Sequence, residues 1–130
     1  MALGIPMWVY TTSSEVLSVA ISKDGRYCIA GGMDGFIYLF NRTNSVPIWS
    51  YNLNSIINSV AISDDGKYFM CGCQDSYTYV FQNTSSSPLN TYSFSTEVSS
   101  VDISGDGNYI ISGSKDGELK LGYIKSSNYL

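Results

Sequence analysis

The side chains that could carry chemistry in this chain are few, and their spacing limits what they can do. There is no histidine, so no Ser–His or Cys–His pair can activate a nucleophile. Three cysteines are present, at Cys28, Cys71 and Cys73. Cys71 and Cys73 stand two apart on an expected strand and point the same way, which is poor geometry for a disulfide. A C-x-C pair without further ligands also falls short of a metal site. These cysteines read as small buried hydrophobes. The aspartates are more regular. Asp24, Asp65 and Asp106 each precede a glycine, and Asp34, Asp75 and Asp116 follow in step with them. Aspartate next to glycine is turn chemistry. Asp102 belongs to neither series.

These positions sit in a repeat with a step of 41 residues. Ser18-Val19-Ala20-Ile21-Ser22 returns as Ser59-Val60-Ala61-Ile62-Ser63 and as Ser100-Val101-Asp102-Ile103-Ser104. Tyr27, Tyr68 and Tyr109 follow the Asp-Gly pairs, then come Gly31, Gly72 and Gly113. Upstream, Pro6, Pro47 and Pro88 open the units, with Trp8 and Trp49 (Asn90 in the third) and Tyr10, Tyr51 and Tyr92 behind them. The units run 6–46, 47–87 and 88–128, and residues 1–130 read as a single three-blade segment. A period of this length built from short strands is the mark of a propeller blade.

Local chemistry places the elements. Val19 and Ile21 alternate with small residues, which is strand period. Asp-Gly between apolar runs predicts a hairpin, roughly 16–22 with 27–31. A second turn at Gly32–Gly35 leads into Phe36–Phe40, with Tyr77–Phe81 and Glu118–Tyr123 as equivalents. Pro47–Tyr51 reads as an outer strand, since proline is tolerated on an edge. The fold class is therefore all-β, in four-stranded antiparallel blades.

Composition narrows the partners. The net charge is −4 with no basic cluster, whereas binding nucleic acid requires positive potential. No apolar run is long enough to span a bilayer, and no signal peptide is visible. These features favour a cytoplasmic setting without nucleic-acid binding or membrane insertion. No cofactor is indicated.

The string SVAIS-x-DG-x-Y, with the later Gly-x-x-Asp-Gly, resembles WD40 repeats. Pro47-Ile48-Trp49-Ser50-Tyr51 is more similar to quinoprotein-type (PQQ-like) repeats. The resemblance covers nearly the whole chain and implies a β-propeller. Phe40-Asn41, Phe81-Gln82 and Gly122-Tyr123 stand where WD40 repeats carry Trp-Asp. Asp34, Asp75 and Asp116 align with the WD40 turn aspartate but lack its histidine partner.

Closed propellers use four to eight blades, so three blades suggest completion by another copy. The outer strand of each unit belongs spatially with the preceding unit. Pro6–Tyr10 is then left without inner strands, and the last three strands lack an outer one. A ring in which these pair between copies solves both deficits, with Pro6, Trp8, Tyr10, Leu119, Leu121 and Tyr123 at the closure. A six-bladed homodimer is favoured, with a nine-bladed trimer or a piece of a longer or engineered propeller as alternatives.

The expected function is a non-enzymatic binding or scaffold module with another protein or a small ligand at its rim. The candidates are positions that vary between matched units: Glu15, Ile56 and Glu97, and Met33, Gln74 and Lys115. Asp102, where the repeat has Ala20 and Ala61, could line the central channel and hold a cation or polar ligand. The alternative is a quinoprotein-type enzyme domain, using Asp102 and aromatics such as Trp8 and Trp49.

Overall fold

A computed structural model describes residues 3–124; the tail of the third repeat, 125–128, lies outside the described residues. Three antiparallel sheets are built in chain order. The first contains β1 (Val16–Ile21), β2 (Tyr27–Gly32), β3 (Phe36–Asn41) and β4 (Trp49–Asn52). The second contains β5 (Ile57–Ile62), β6 (Tyr68–Cys73), β7 (Tyr77–Gln82) and β8 (Asn90–Ser93). The third has β9 (Val98–Ile103), β10 (Tyr109–Ser114) and β11 (Leu119–Tyr123), with no fourth strand among the described residues. These are propeller blades, and β4 and β8 join the preceding blade as the repeat arithmetic predicts. They start at Trp49 and Asn90, two residues beyond the prolines, because proline has no N–H to give to a ladder.

The hairpin between the first two strands is one module used three times. In the first blade Ser22 Oγ donates to Asp24 Oδ1 at 2.6 Å, the same oxygen accepts Arg26 N–H at 2.9 Å, and Tyr27 N–H donates to Ser22 Oγ at 3.1 Å. Ser63, Asp65 and Tyr68 repeat it, as do Ser104, Asp106 and Tyr109. These bonds hold Asp24 and Asp106 below the usual carboxylate range, the serine hydroxyl contributing most. The glycine takes a left-handed φ of 72°, 73° and 75° in turn, which glycine adopts without steric cost.

At the next turn Gly35 and Gly117 also have positive φ, but Ser76 holds φ 77° in the second blade. A side chain there costs roughly 1 kcal/mol. Ser76→Gly is therefore expected to raise the free energy of unfolding by about that amount, measured by urea titration.

Blades stack face to face, and glycine allows the close approach. A Cβ at Gly31 would lie 2.6 Å from Ile57 Cγ2, and one at Gly72 would lie 2.5 Å from Val98 Cγ1. The first junction buries Ile29, Ile37 and Leu39 against Ile57, Val60, Phe69 and Phe81. The second packs Ala61, Met70 and Val80 against Val98, Val101, Ile103 and Ile110. Main-chain bonds also cross between blades: Lys23 N–H to Asp64 O at 3.0 Å, and Asp64 N–H to Gly105 O at 2.9 Å. Cys71 and Cys73 are fully buried thiols 3.9 Å apart. Burial pushes the Cys71 thiol well up.

Pro6–Tyr10 lies outside any sheet and bends at Met7; no strand among the described residues pairs with it. Its side chains nonetheless take the places that outer-strand side chains take elsewhere. Trp8 Nε1 donates to Arg42 O at 2.7 Å, and its ring lies 5.1 Å from Phe40. One repeat later Trp49 Nε1 donates to Asn83 O at 3.3 Å, and its ring lies 5.8 Å from Phe81.

Candidate interaction surfaces

The variable rim positions come together in pairs at the same corner of each blade. Met33 N–H donates to Glu15 O at 2.8 Å, Gln74 N–H to Ile56 O at 2.9 Å, and Lys115 N–H to Glu97 O at 3.1 Å. Backbone pairing thus brings each loop residue beside the turn residue of its own blade, while the side chains are free to differ. In the third blade they form an ion pair, Lys115 Nζ to Glu97 at 2.9 Å. An exposed pair of this kind adds at most about 1 kcal/mol. Asn58 Nδ2 reaches Glu97 Oε1 at 3.4 Å and Val98 O at 2.8 Å, tying the second blade to this corner.

The turn aspartates have a partner that the sequence reading missed. Asp34 Oδ1 caps Phe36 N–H at 3.0 Å, and Oδ2 accepts the Tyr38 hydroxyl at 2.5 Å. Asp75 does the same with Tyr77 N–H at 3.0 Å and Tyr79 at 2.6 Å. Both phenols are pushed up, first by burial and then by the carboxylate beside them. The available signal was Asp-x-x-x-Tyr recurring one repeat apart. Lys120 breaks it in the third blade, where Asp116 instead accepts from Ser114 and from Ser95, the latter at 2.6 Å. The Ser114 hydroxyl, followed by that of Ser95, draws the Asp116 carboxyl down to about 2.

The two end faces are the other surface. On the third blade Ile111, Leu119 and Leu121 stand at the repeat positions of Ile29, Ile37 and Leu39. The latter three are at most 1 % exposed, whereas Leu119 and Leu121 are 72 % and 74 % exposed. On the first blade Val16, Val19 and Ile21 are exposed, and their counterparts Ile57, Val60 and Ile62 pack into a junction. Between this face and Trp8 and Tyr10 runs an apolar cleft of about 410 Å³, lined also by Cys28, Ala30 and Phe40. Asp102 lies on the open face of the third blade beside Tyr109, Ile111 and Leu121, apart from the rim pairs. Pro6 and Tyr123 are exposed at opposite ends of the stack, at the first and third blades respectively.

The family model described as WD domain, G-beta repeat matches residues 4–41, 45–82 and 86–121. The chain belongs to the WD40 repeat family. Each WD40 match starts ahead of an outer-strand segment and closes on a third strand, so a WD40 unit in sequence is offset from a blade in space. WD40 domains generally mediate protein–protein interactions and are generally non-enzymatic scaffolds. In this WD40 chain the turn aspartate keeps its place and takes tyrosine as its partner in two blades. Trp8 and Trp49 are engaged with phenylalanines and backbone carbonyls. Among the described residues no helix is long and apolar enough to cross a membrane. A comparison with curated proteins gives no match to the chain.

Proposed function

We propose that this WD40 chain is a non-enzymatic binding scaffold that completes its ring with a second copy. Two chains give six blades, each lending residues 6–10 as the outer strand of the other's third blade. The observation that carries this reading is Gly113. Gly31 and Gly72 are needed because Ile57 and Val98 press against them, whereas a Cβ at Gly113 would meet only Leu119 Cδ2 at 3.4 Å. The position keeps the close-approach residue without a close neighbour among the described residues. Val16 of a second copy, the repeat equivalent of Ile57 and Val98, supplies one.

Further groups fit the same closure. Tyr27 packs beneath Gly66 and Tyr68 beneath Gly107, which directs exposed Tyr109 to Gly25 of a second copy. Ser18 Oγ accepts Val60 N–H at 3.1 Å and Ser59 Oγ accepts Val101 N–H at 3.2 Å, which directs Ser100 to Val19. The ladders Leu39–Trp49 and Ile37–Tyr51 translate to Leu121–Trp8 and Leu119–Tyr10 between chains. The cleft beside Trp8 is where Ile111, Leu119 and Leu121 enter. Twofold association is the commonest oligomer. Burying these end faces removes an apolar surface and an open strand edge that would otherwise promote aggregation.

The working surface for other partners is the rim built by Glu15 with Met33, Ile56 with Gln74, and Glu97 with Lys115, facing a protein or a small ligand. Light scattering after size exclusion tests the assembly: a single species of twice 14.2 kDa is expected. A folded species of one chain mass would overturn the closure, and one of three chain masses would replace six blades by nine.

A further inference from the structure

The apolar closing face contains one departure. Ala20 packs against the core of the first junction, and Ala61 is 7 % exposed within the second. At the same repeat position the third blade carries Asp102, opposite Ile111 in the ladder. Its carboxylate is exposed and accepts the Ile103 N–H at 2.8 Å. Ala61 shares its cluster with Val101, Ile103 and Ile110, so closure would set Asp102 against Val19, Ile21 and Cys28 of the second copy. We propose that Asp102 makes ring closure acid-sensitive, with protonation of its carboxyl tightening the junction. This rests on the closure proposed above.

Asp102 is the carboxylate that closure would carry into the apolar junction. On its own sheet the neighbours with ionisable groups are Tyr109 and Tyr123. On the facing sheet of the second copy they are Cys28 on β2 and Tyr38 on β3, with Tyr10 on the covering segment. Glu15 and Lys23 flank the two ends of β1. Burial raises Cys28 and Tyr38, so both are neutral in mild acid. Asp24 and Asp106, at the adjoining turns, are held low by their serines and titrate in stronger acid. A carboxylate taken from water into an apolar junction favours its protonated form. Closure thus takes up a proton at each junction, and by linkage it strengthens as pH falls.

Each of the two junctions of a dimer takes up its own proton, so the effects of acidification on the two junctions multiply. The test is the dimer dissociation constant of the full chain by sedimentation equilibrium at about pH 7 and about pH 5. The proteins compared are wild type, Asp102→Asn, Asp102→Ala and Asp64→Asn, the last an exposed control with the same charge change. Wild type is expected to tighten at least severalfold on acidification. Both Asp102 variants should be at least as tight at neutral pH as acidified wild type and lose most of the pH dependence, and the control should behave as wild type. A dimer equally tight at both pH values, or Asp102 variants no tighter than wild type, overturns this inference and leaves ring closure standing. Monomers throughout, Asp102→Ala included, overturn ring closure itself.

Discussion

Replacing Leu121 with aspartate is expected to leave the three-blade chain folded and to abolish its assembly. Leu39 and Val80, at the same repeat position in the other two blades, are fully buried, whereas Leu121 is 74 % exposed. Within one chain the new charge meets water and costs little. In the closed ring it would lie under Trp8 of the second copy, where an unpaired buried carboxylate costs several kcal/mol. Twofold symmetry counts that cost twice. The dissociation constant should rise by more than about a hundredfold, since roughly 1.4 kcal/mol is tenfold. Gly113→Val is a second route to the same end, because its side chain has room in the single chain and none once Val16 of a second copy arrives. Solution mass reads the assembly and circular dichroism melting reads the fold. Cys28 supplies a third readout: its counterpart Phe69 is fully buried in a junction. Its thiol should therefore react slowly with an alkylating reagent in wild type and faster in both variants. Unchanged dimer mass in both variants would sink the closure.

Phe69→Ala should be the most damaging single truncation in the core. Phe69 is fully buried. It stacks on Phe81 at 5.4 Å and 10°, and lies 5.4 Å from Trp49 of the preceding blade. It therefore belongs to a blade and to a junction at once. Removing a buried phenylalanine costs about 3–5 kcal/mol through lost transfer energy and the cavity left behind. Native stability is about 5–15 kcal/mol in total, so the variant should unfold at far lower urea concentration. A loss below about 1 kcal/mol would mean that the junction repacks around the gap.

Much of this architecture was legible in the sequence. Ser-x-Asp-Gly-x-Tyr encodes its hairpin with bonds that span no more than five residues, so composition and order suffice to read it. The placement of β4 and β8 in the preceding blade followed from the repeat, because a radial sheet needs an outer strand and the next unit supplies it. The rim candidates were found as positions that differ between matched units, although their pairing across loop and turn depends on backbone bonds no pattern displays. The Asp34–Tyr38 and Asp75–Tyr79 bonds were present in the sequence as a spacing, but Lys120 breaks that spacing in the third unit, so it does not show as a feature of the repeat.

The sequence by itself determined the strands, the turns and the three-fold internal order, because each rests on contacts within a few residues or on exact repetition. Only the tertiary structure decided which copies of a repeated residue are buried. Leu39 and Leu121 sit at the same repeat position, and so do Gly72 and Gly113, yet one of each pair lies in a junction and the other on an open face. Burial is a property of what lies across the face, and the chain carries the same residue type in both places.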